Sequence, residues 1–356
     1  SGLWPGLVVD SSSSAFLNGT VIERAETCLH LEGTLEANDL TLQNCYIGLD
    51  VTGSATAEVD TLHVEQADVF AVRNKGTLDL LNQARLHNVS IGLQSEGATY
   101  VADLEVEDAL QGVKAVSGTA SIHGLTATSN KIALGASAGA TLEAHDVTVR
   151  DSGLAVDASD ATSLTVDVLD VSTTGTLLQG RNVAGLSLSN VTASISDGGA
   201  ATKAIDLPCS GTCHLSTASL ALDNATVHVS GSGTTGFTEV LLHAVNTTRP
   251  VLEATGTGTF DADTMTVLGE GGVLFRDLDT SIQDMHVDLG QGEGPAVDLM
   301  AGDHVWGDVV LERRYSAFDF SSQGLVARYA TMHANALSAT NLSTGVHLDA
   351  THFASI

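Results

Sequence analysis

The sequence predicts an all-β fold: a single-stranded parallel β-helix, a solenoid of about 14 coils of roughly 21 residues, each with three short strands. Three observations predict it: one residue slot that recurs once per coil, short segments of alternating hydropathy between the slots, and an aliphatic, aromatic-poor composition.

The slot is occupied by Gly33, Gly53, Gly76, Gly97, Gly118 and Gly139, then by Asp160 and Asn182, and later by Gly258, Asp279, Gly302, Gly324 and Gly345. Gly, Asn and Asp are the residues that best tolerate positive φ, so the slot reads as a turn needing that conformation once per coil. Between slots, the middle segment reads polar-apolar-x-apolar, as in Asp39–Leu42, Asp103–Val106, Asp146–Val149 and Asp284–Val287. A second segment precedes the turn, as in Ile47–Val51, Gly153–Val156 and Gly272–Phe275. A weaker one opens the coil, as in Thr77–Leu80 and Ala140–Ala144. Alternation with period two sends every second side chain inward. Gly, Thr, Val and Asp interrupt each apolar run, which disfavours helices. Aromatics are 4% of the chain against 43% hydrophobic residues, so the core must be built from Val, Leu, Ile and Ala.

The pattern divides the chain. Residues 1–16 form an N-terminal segment or cap, 17–182 regular coils, and 183–257 irregular coils with loop insertions. Residues 258–345 are again regular, and 346–356 form a C-terminal strand or tail. The register breaks between Asn182 and Gly258; Ser196–Cys213 reads as an insertion and Gly231–Gly236 as a second loop.

Four cysteines are present: Cys28, Cys45, Cys209 and Cys213. The spacing of the first two is close to one coil, and the last two can close a small loop. Two disulfides are favoured over a zinc site, because the pairs are far apart and lack paired C-x2-C spacing. Asn-x-Ser/Thr sequons occur at Asn18, Asn88, Asn190, Asn224, Asn246 and Asn341, which reads as a glycosylated protein of the extracellular space or cell surface. A first residue other than Met is compatible with an earlier leader.

A formal charge of −29 argues against nucleic acid and anionic membrane as partners. It fits either a solvated acidic coat for a salty medium or divalent-cation binding. No apolar run is long enough to insert in a bilayer.

In coil length and strand pattern, over roughly residues 17–345, the chain resembles the right-handed parallel β-helix superfamily, the pectin-lyase-like fold, of the non-catalytic surface-protein type. The resemblance implies right-handed winding, and it raises polysaccharide lysis, hydrolysis or epimerisation as an alternative function. The Asp-Asp and Gly-His-Gly patterns of polygalacturonase-like enzymes are absent. The best basic cluster is Arg313, Arg314 and Tyr315, after Asp308 and Glu312, where Arg would suit a carboxylated sugar. The competing reading is solvated turn charge. Asp261 with Asp263, and Asp277 with Asp279, could each offer calcium oxygens, but calcium takes six to eight ligands and neither pair suffices alone. His63, His87, His123 and His145 fall in nearby coils with drifting offsets, which does not require a shared face.

No amphipathic cap is visible at either end, and raw solenoid edges invite association. The expectation is therefore a non-enzymatic structural or adhesive scaffold of the cell surface, self-associating through its ends into a filament or array. A glycan is the expected small partner. The alternative is a polysaccharide-binding or polysaccharide-degrading enzyme.

Overall fold

A computed structural model of the chain describes residues 3–137, 139–173, 175–196, 202–292, 294–313, 322–349 and 352–355. The fold is all-β, a parallel β-solenoid of about 15 turns, with no helix among the described residues. It divides into two compact units, Ser1–Thr173 and Thr174–Ile356.

In the first unit, the strand Thr34–Val51 is a full coil that bends at two corners. Residues 34–37, 40–43 and 47–51 belong to three faces, called here the first, second and third sheets. Each pairs in parallel with its copy in the next coil: Leu35 with Ala57, Leu40 with Leu62, Leu49 with Val72. Leu35, Ala37, Leu40, Leu42, Leu49 and Val51 point inward and are buried. Period-two alternation thus sorts the residues as expected. Inside, Asn74 donates Nδ2 to Thr99 Oγ1 at 2.8 Å and to the Ala98 carbonyl at 2.7 Å, so this buried amide is satisfied.

The once-per-coil slot divides between two physical causes: Gly118, Gly139, Asp160, Asn182 and Gly302 have the expected positive φ, and other members of the slot do not. Gly33, Gly76, Gly97 and Gly258 do not have positive φ. Glycine is required there because coils stack closely at that corner: a Cβ on Gly97 would fall on the carbonyl of Gly76, and one on Gly76 on that of Ala55. A second run of positive φ lies at the corner between the second and third sheets, at Arg24, Asn44, Gln66, Asn88, Asp108, Ser129 and Asp151. Side-chain polarity hides this slot from a glycine search.

Register shifts at Val183/Gly185 and Lys203/Ile205 mark the expected irregular stretch, yet the solenoid runs on through it. Gly211, Gly233 and Gly258 continue the close-approach column, each Cβ position blocked by the backbone one coil before. Gly231–Gly236 is therefore not a free loop, and Cys209–Cys213 lies within the strand Thr202–Asp223. Residues 197–201, part of the expected insertion, lie outside the described residues. The core also differs. Phe237, Phe260, Phe275 and Trp306 stack inward with centroid separations of 5.0, 5.3 and 6.5 Å. The expected aliphatic core holds for the first unit, and these four aromatics swell the second.

Both cysteine pairs are disulfides, Cys28–Cys45 and Cys209–Cys213. Such bonds persist in oxidising compartments, which fits a secreted or extracellular protein. No helix among the described residues is long and apolar enough to cross a membrane.

Candidate functional site

The main concavity lies on the outer surface of the first sheet in the second unit, an open trough of about 730 Å³. Its floor is a ladder of outward residues. His214 pairs with Gly236, Gly236 with Asp261, Asp261 with Ser281, Ser281 with Val305, and Val305 with His333. Thr212 and Thr234 stand on one side; Thr238, Asp263, Gln283 and Asn335 stand on the other, at the corner into the second sheet.

The local sequence explains the dip. Gly236 and Ser281 put little bulk on the floor, and the ring of His214 folds over Gly236, where a Cβ would lie 2.6 Å from Nδ1. Beneath, the aromatic stack keeps the sheet rigid. Trp306 donates Nε1 to Thr280 Oγ1 at 2.8 Å, and Thr280 Oγ1 lies 2.9 Å from Nδ1 of buried His304. The Cys209–Cys213 disulfide ties down the chain where it enters the first rung. Burial pushes the Asp261 carboxyl above its usual range, so it keeps its proton to higher pH than an ordinary surface aspartate.

The expected calcium residues separate. Asp261 and Asp263 line the trough. Asp277 sits at positive φ in the corner between the third and first sheets, and Asp279 accepts a hydrogen bond from the Asp303 backbone N–H at 2.9 Å. These two do the work of turns. Among the described residues, the one set of three or more ligand groups within mutual reach is His87, Glu107 and Asp108, on the first unit.

The basic cluster is not assembled either. Arg313 is buried and donates Nη1 to Ser322 Oγ and Nη2 to the Gln291 carbonyl, both at 3.3 Å. Glu312 lies 3.0 Å from His286 Nε2. Asp308 is exposed at the far end of that run, roughly 15 Å along the strand from Arg313. Arg314 and Tyr315 lie outside the described residues.

Of the four early histidines, His123 and His145 stack at 5.5 Å on successive coils. His63 and His87 occupy other rows, facing Arg85 and Glu107 respectively.

Elsewhere on the surface, charges pair with one another. Arg73 donates Nε and Nη2 to Asp50 at 2.7 and 2.8 Å, with His30 Nδ1 3.0 Å from the same carboxylate. Burial works against the Asp50 charge, but Arg73 and then His30 outweigh it and hold the carboxyl below its usual range. In the second unit, Asp206 accepts from Lys203 at 3.0 Å and lies 2.7 Å from His228 Nδ1. Burial opposes that charge too, and Lys203 and His228 again lower the carboxyl's pKa.

The sequons occupy corners. Asn18, Asn88, Asn190, Asn246 and Asn341 are exposed and Asn224 is half-buried. All but Asn18 have positive φ.

The trough was legible only in part. Asp261 and Asp263 drew attention as carboxylates, but His214, Gly236, Ser281, Gln283 and His333 are scattered over the chain and carry no motif. The signal that could have found them is the coil register itself, carried through Gly211 and Gly233. No protein-family model, curated protein or solved structure matches the chain.

Proposed function

We propose that the protein is a scaffold of the extracellular space or cell surface, of the pectin-lyase-like type in winding and pattern. In this reading it adheres by holding an extended, hydroxyl-rich polymer, a neutral glycan, in the trough of its second unit. The single observation that carries the reading is the trough's form. It crosses six stacked coils, about 24 Å at the spacing of paired strands, and is lined by hydroxyl, amide, imidazole and carboxyl groups. A linear ligand can repeat its contacts from rung to rung on such a surface. Charge selects among polymers: Asp261 and Asp263 in a chain of net charge −29 repel a polyanion, so an uncharged glycan fits better than a uronate.

The disulfides and the exposed sequons fit the same location, with glycans on Asn18, Asn88, Asn190, Asn224, Asn246 and Asn341. Calcium is not needed for this reading. The competing function is cleavage, favoured by the raised carboxyl of Asp261 beside a second carboxylate in the same trough.

A screen of neutral and acidic polysaccharides, with and without calcium, tests both. Neutral chains are expected to bind, and acidic ones to be rejected. Asp261→Asn combined with Gln283→Ala is expected to weaken binding roughly tenfold, the loss of one or two hydrogen bonds. Size analysis of the recovered polymer is expected to show no shortening. Shortened chains with a new reducing or unsaturated end would establish the enzyme reading, and unchanged affinity in the double variant would remove the trough from the function.

A further inference from the structure

Beneath the trough of the second unit, three side chains form one chain of hydrogen bonds. Thr280, His304 and Trp306 are exposed by only 2%, 0% and 1%. Trp306 Nε1 lies 2.8 Å from Thr280 Oγ1, Thr280 Oγ1 lies 2.9 Å from His304 Nδ1, and His304 Nε2 lies 3.0 Å from the Ala301 carbonyl. One placement of the protons satisfies all three bonds. An indole N–H only donates and a carbonyl only accepts. The imidazole proton therefore sits on Nε2, and Thr280 accepts from Trp306 and gives its own proton to Nδ1. The network is complete only with a neutral imidazole.

The network joins a corner to the trough floor. Ala301 and Gly302 turn the chain from the third sheet into the first with φ of 57° and 98°. An alanine seldom adopts that conformation. His304 holds the corner from inside, through the Ala301 carbonyl. At its other end the network fixes Trp306, which lies 6.5 Å from Phe275 in the aromatic stack and lines the trough. Val305, between His304 and Trp306, faces outward on the trough floor.

A second proton has no place here. An Nδ1–H would point at Thr280 Oγ1, whose own proton would then lose its acceptor. No carboxylate among the described residues hydrogen-bonds to the ring. Asp279, from the coil before, and Asp303 act on it only through space. On the coil after, it pairs with uncharged Met332. Arg328, whose carbonyl accepts from the Ala301 N–H, turns its guanidinium to Asp298 at 3.4 Å. Burial outweighs the Ala301 bond and both aspartates, and holds the imidazole below its ordinary range.

We infer that His304 is an acid-sensitive latch: uncharged, it locks the corner to the trough floor, and on taking up a proton it leaves its seat and the surrounding coil opens. Its consequence for binding rests on the trough being the polymer site; the latch itself does not. An opened His304 takes a proton at its ordinary value of 6.5, and the seated ring only below that. The stabilisation is thus complete above 6.5 and is lost as pH falls toward the folded pKa. Each pH unit in that window multiplies local opening by up to about tenfold.

The test follows hydrogen exchange of the Trp306 indole N–H by NMR, corrected for the intrinsic effect of pH. Trp4, exposed on the first unit, gives the other indole signal. Opening is expected to rise by up to about twenty-fivefold from pH 7 to pH 5 in the wild type, and by less than about twofold in His304→Gln, whose amide stays neutral. Imidazole nitrogen shifts of the wild type at pH 7 are expected to show the Nε2–H form. An Nδ1–H or charged ring at pH 7, equal opening at both pH values in the wild type, or the same rise in His304→Gln would overturn the inference. The first two readings need no variant to fold. Neutral-polymer binding is measured separately, and is expected to weaken at pH 5 more in the wild type than in His304→Gln. An equal loss in both proteins would overturn the latch's hold on the trough. Binding at neither pH would remove the trough reading alone, since the exchange data report the latch without a ligand.

Discussion

At the scale of single residues, the surface charges of the first unit do their work in pairs across the ladder. Asp50 is the clearest case. Its carboxylate is nearly buried and is tolerated only because Arg73 grips both oxygens and His30 stands beside it. Removing one partner of such a pair strands the other charge in a poor solvent. Arg73→Met is therefore expected to lower unfolding free energy by about 3 kcal/mol near neutral pH. The pH dependence has a definite sign. Asp50's folded pKa lies below its ordinary value of 3.8, so the stabilisation is present above that value and disappears as pH falls through the folded pKa. Urea titrations of wild type and variant should thus converge in strong acid; a constant gap would mean that packing of the Arg73 stem, rather than charge, is responsible. The Asp50–Arg73 pairing could not be read from the chain, because partners 23 residues apart become neighbours only once the coil length is known to the residue.

At the scale of the coil, two corner slots carry the fold. In the slot seen in the sequence, Gly76 and Gly97 are glycine because backbones from adjacent coils press together there, and Gly118 combines that close approach with positive φ. The slot not seen, Asn44–Gln66–Asn88–Asp108, has positive φ throughout. The distinction is testable by one substitution at each kind of position. Gly97→Ala places a methyl on the Gly76 carbonyl and is expected to cost roughly 2–3 kcal/mol. At Gly53 the nearest atom to a new Cβ is 3.8 Å away and φ is not positive. Gly53→Ala is therefore expected to change stability by less than about 1 kcal/mol, with stabilisation favoured because the unfolded chain loses freedom. Thermal or chemical melts of the two variants decide it, and equal effects would show that the slot is not a close-approach column. Glycine satisfies both demands, and composition cannot tell which one applies at a given coil.

At the scale of the whole chain, net charge dominates. Folding gathers −29 charges onto a compact surface, and their mutual repulsion falls as salt shortens the screening length from about 30 Å at 0.01 M to about 3 Å at 1 M. The urea midpoint of the chain is expected to rise with NaCl. A midpoint indifferent to salt would mean that the acidic residues are already neutralised, by pairing or by bound cations. The same charge bears on the proposed recognition, because it disfavours polyanions in the trough.

The sequence by itself determined the fold class, the approximate coil length and which residues face inward, because alternation and recurrence are local properties that survive without coordinates. It also placed the cysteines close enough to bridge. Only the tertiary structure decided which residues meet across coils. His214, Asp261, Ser281 and His333 share one trough because coils of variable length happen to bring them into one row, while Asp308 and Arg313 are held apart by the extended run between them. A one-residue change in register carries a side chain to the other face of a strand, so sites built across many coils are fixed by the sum of all the turns before them.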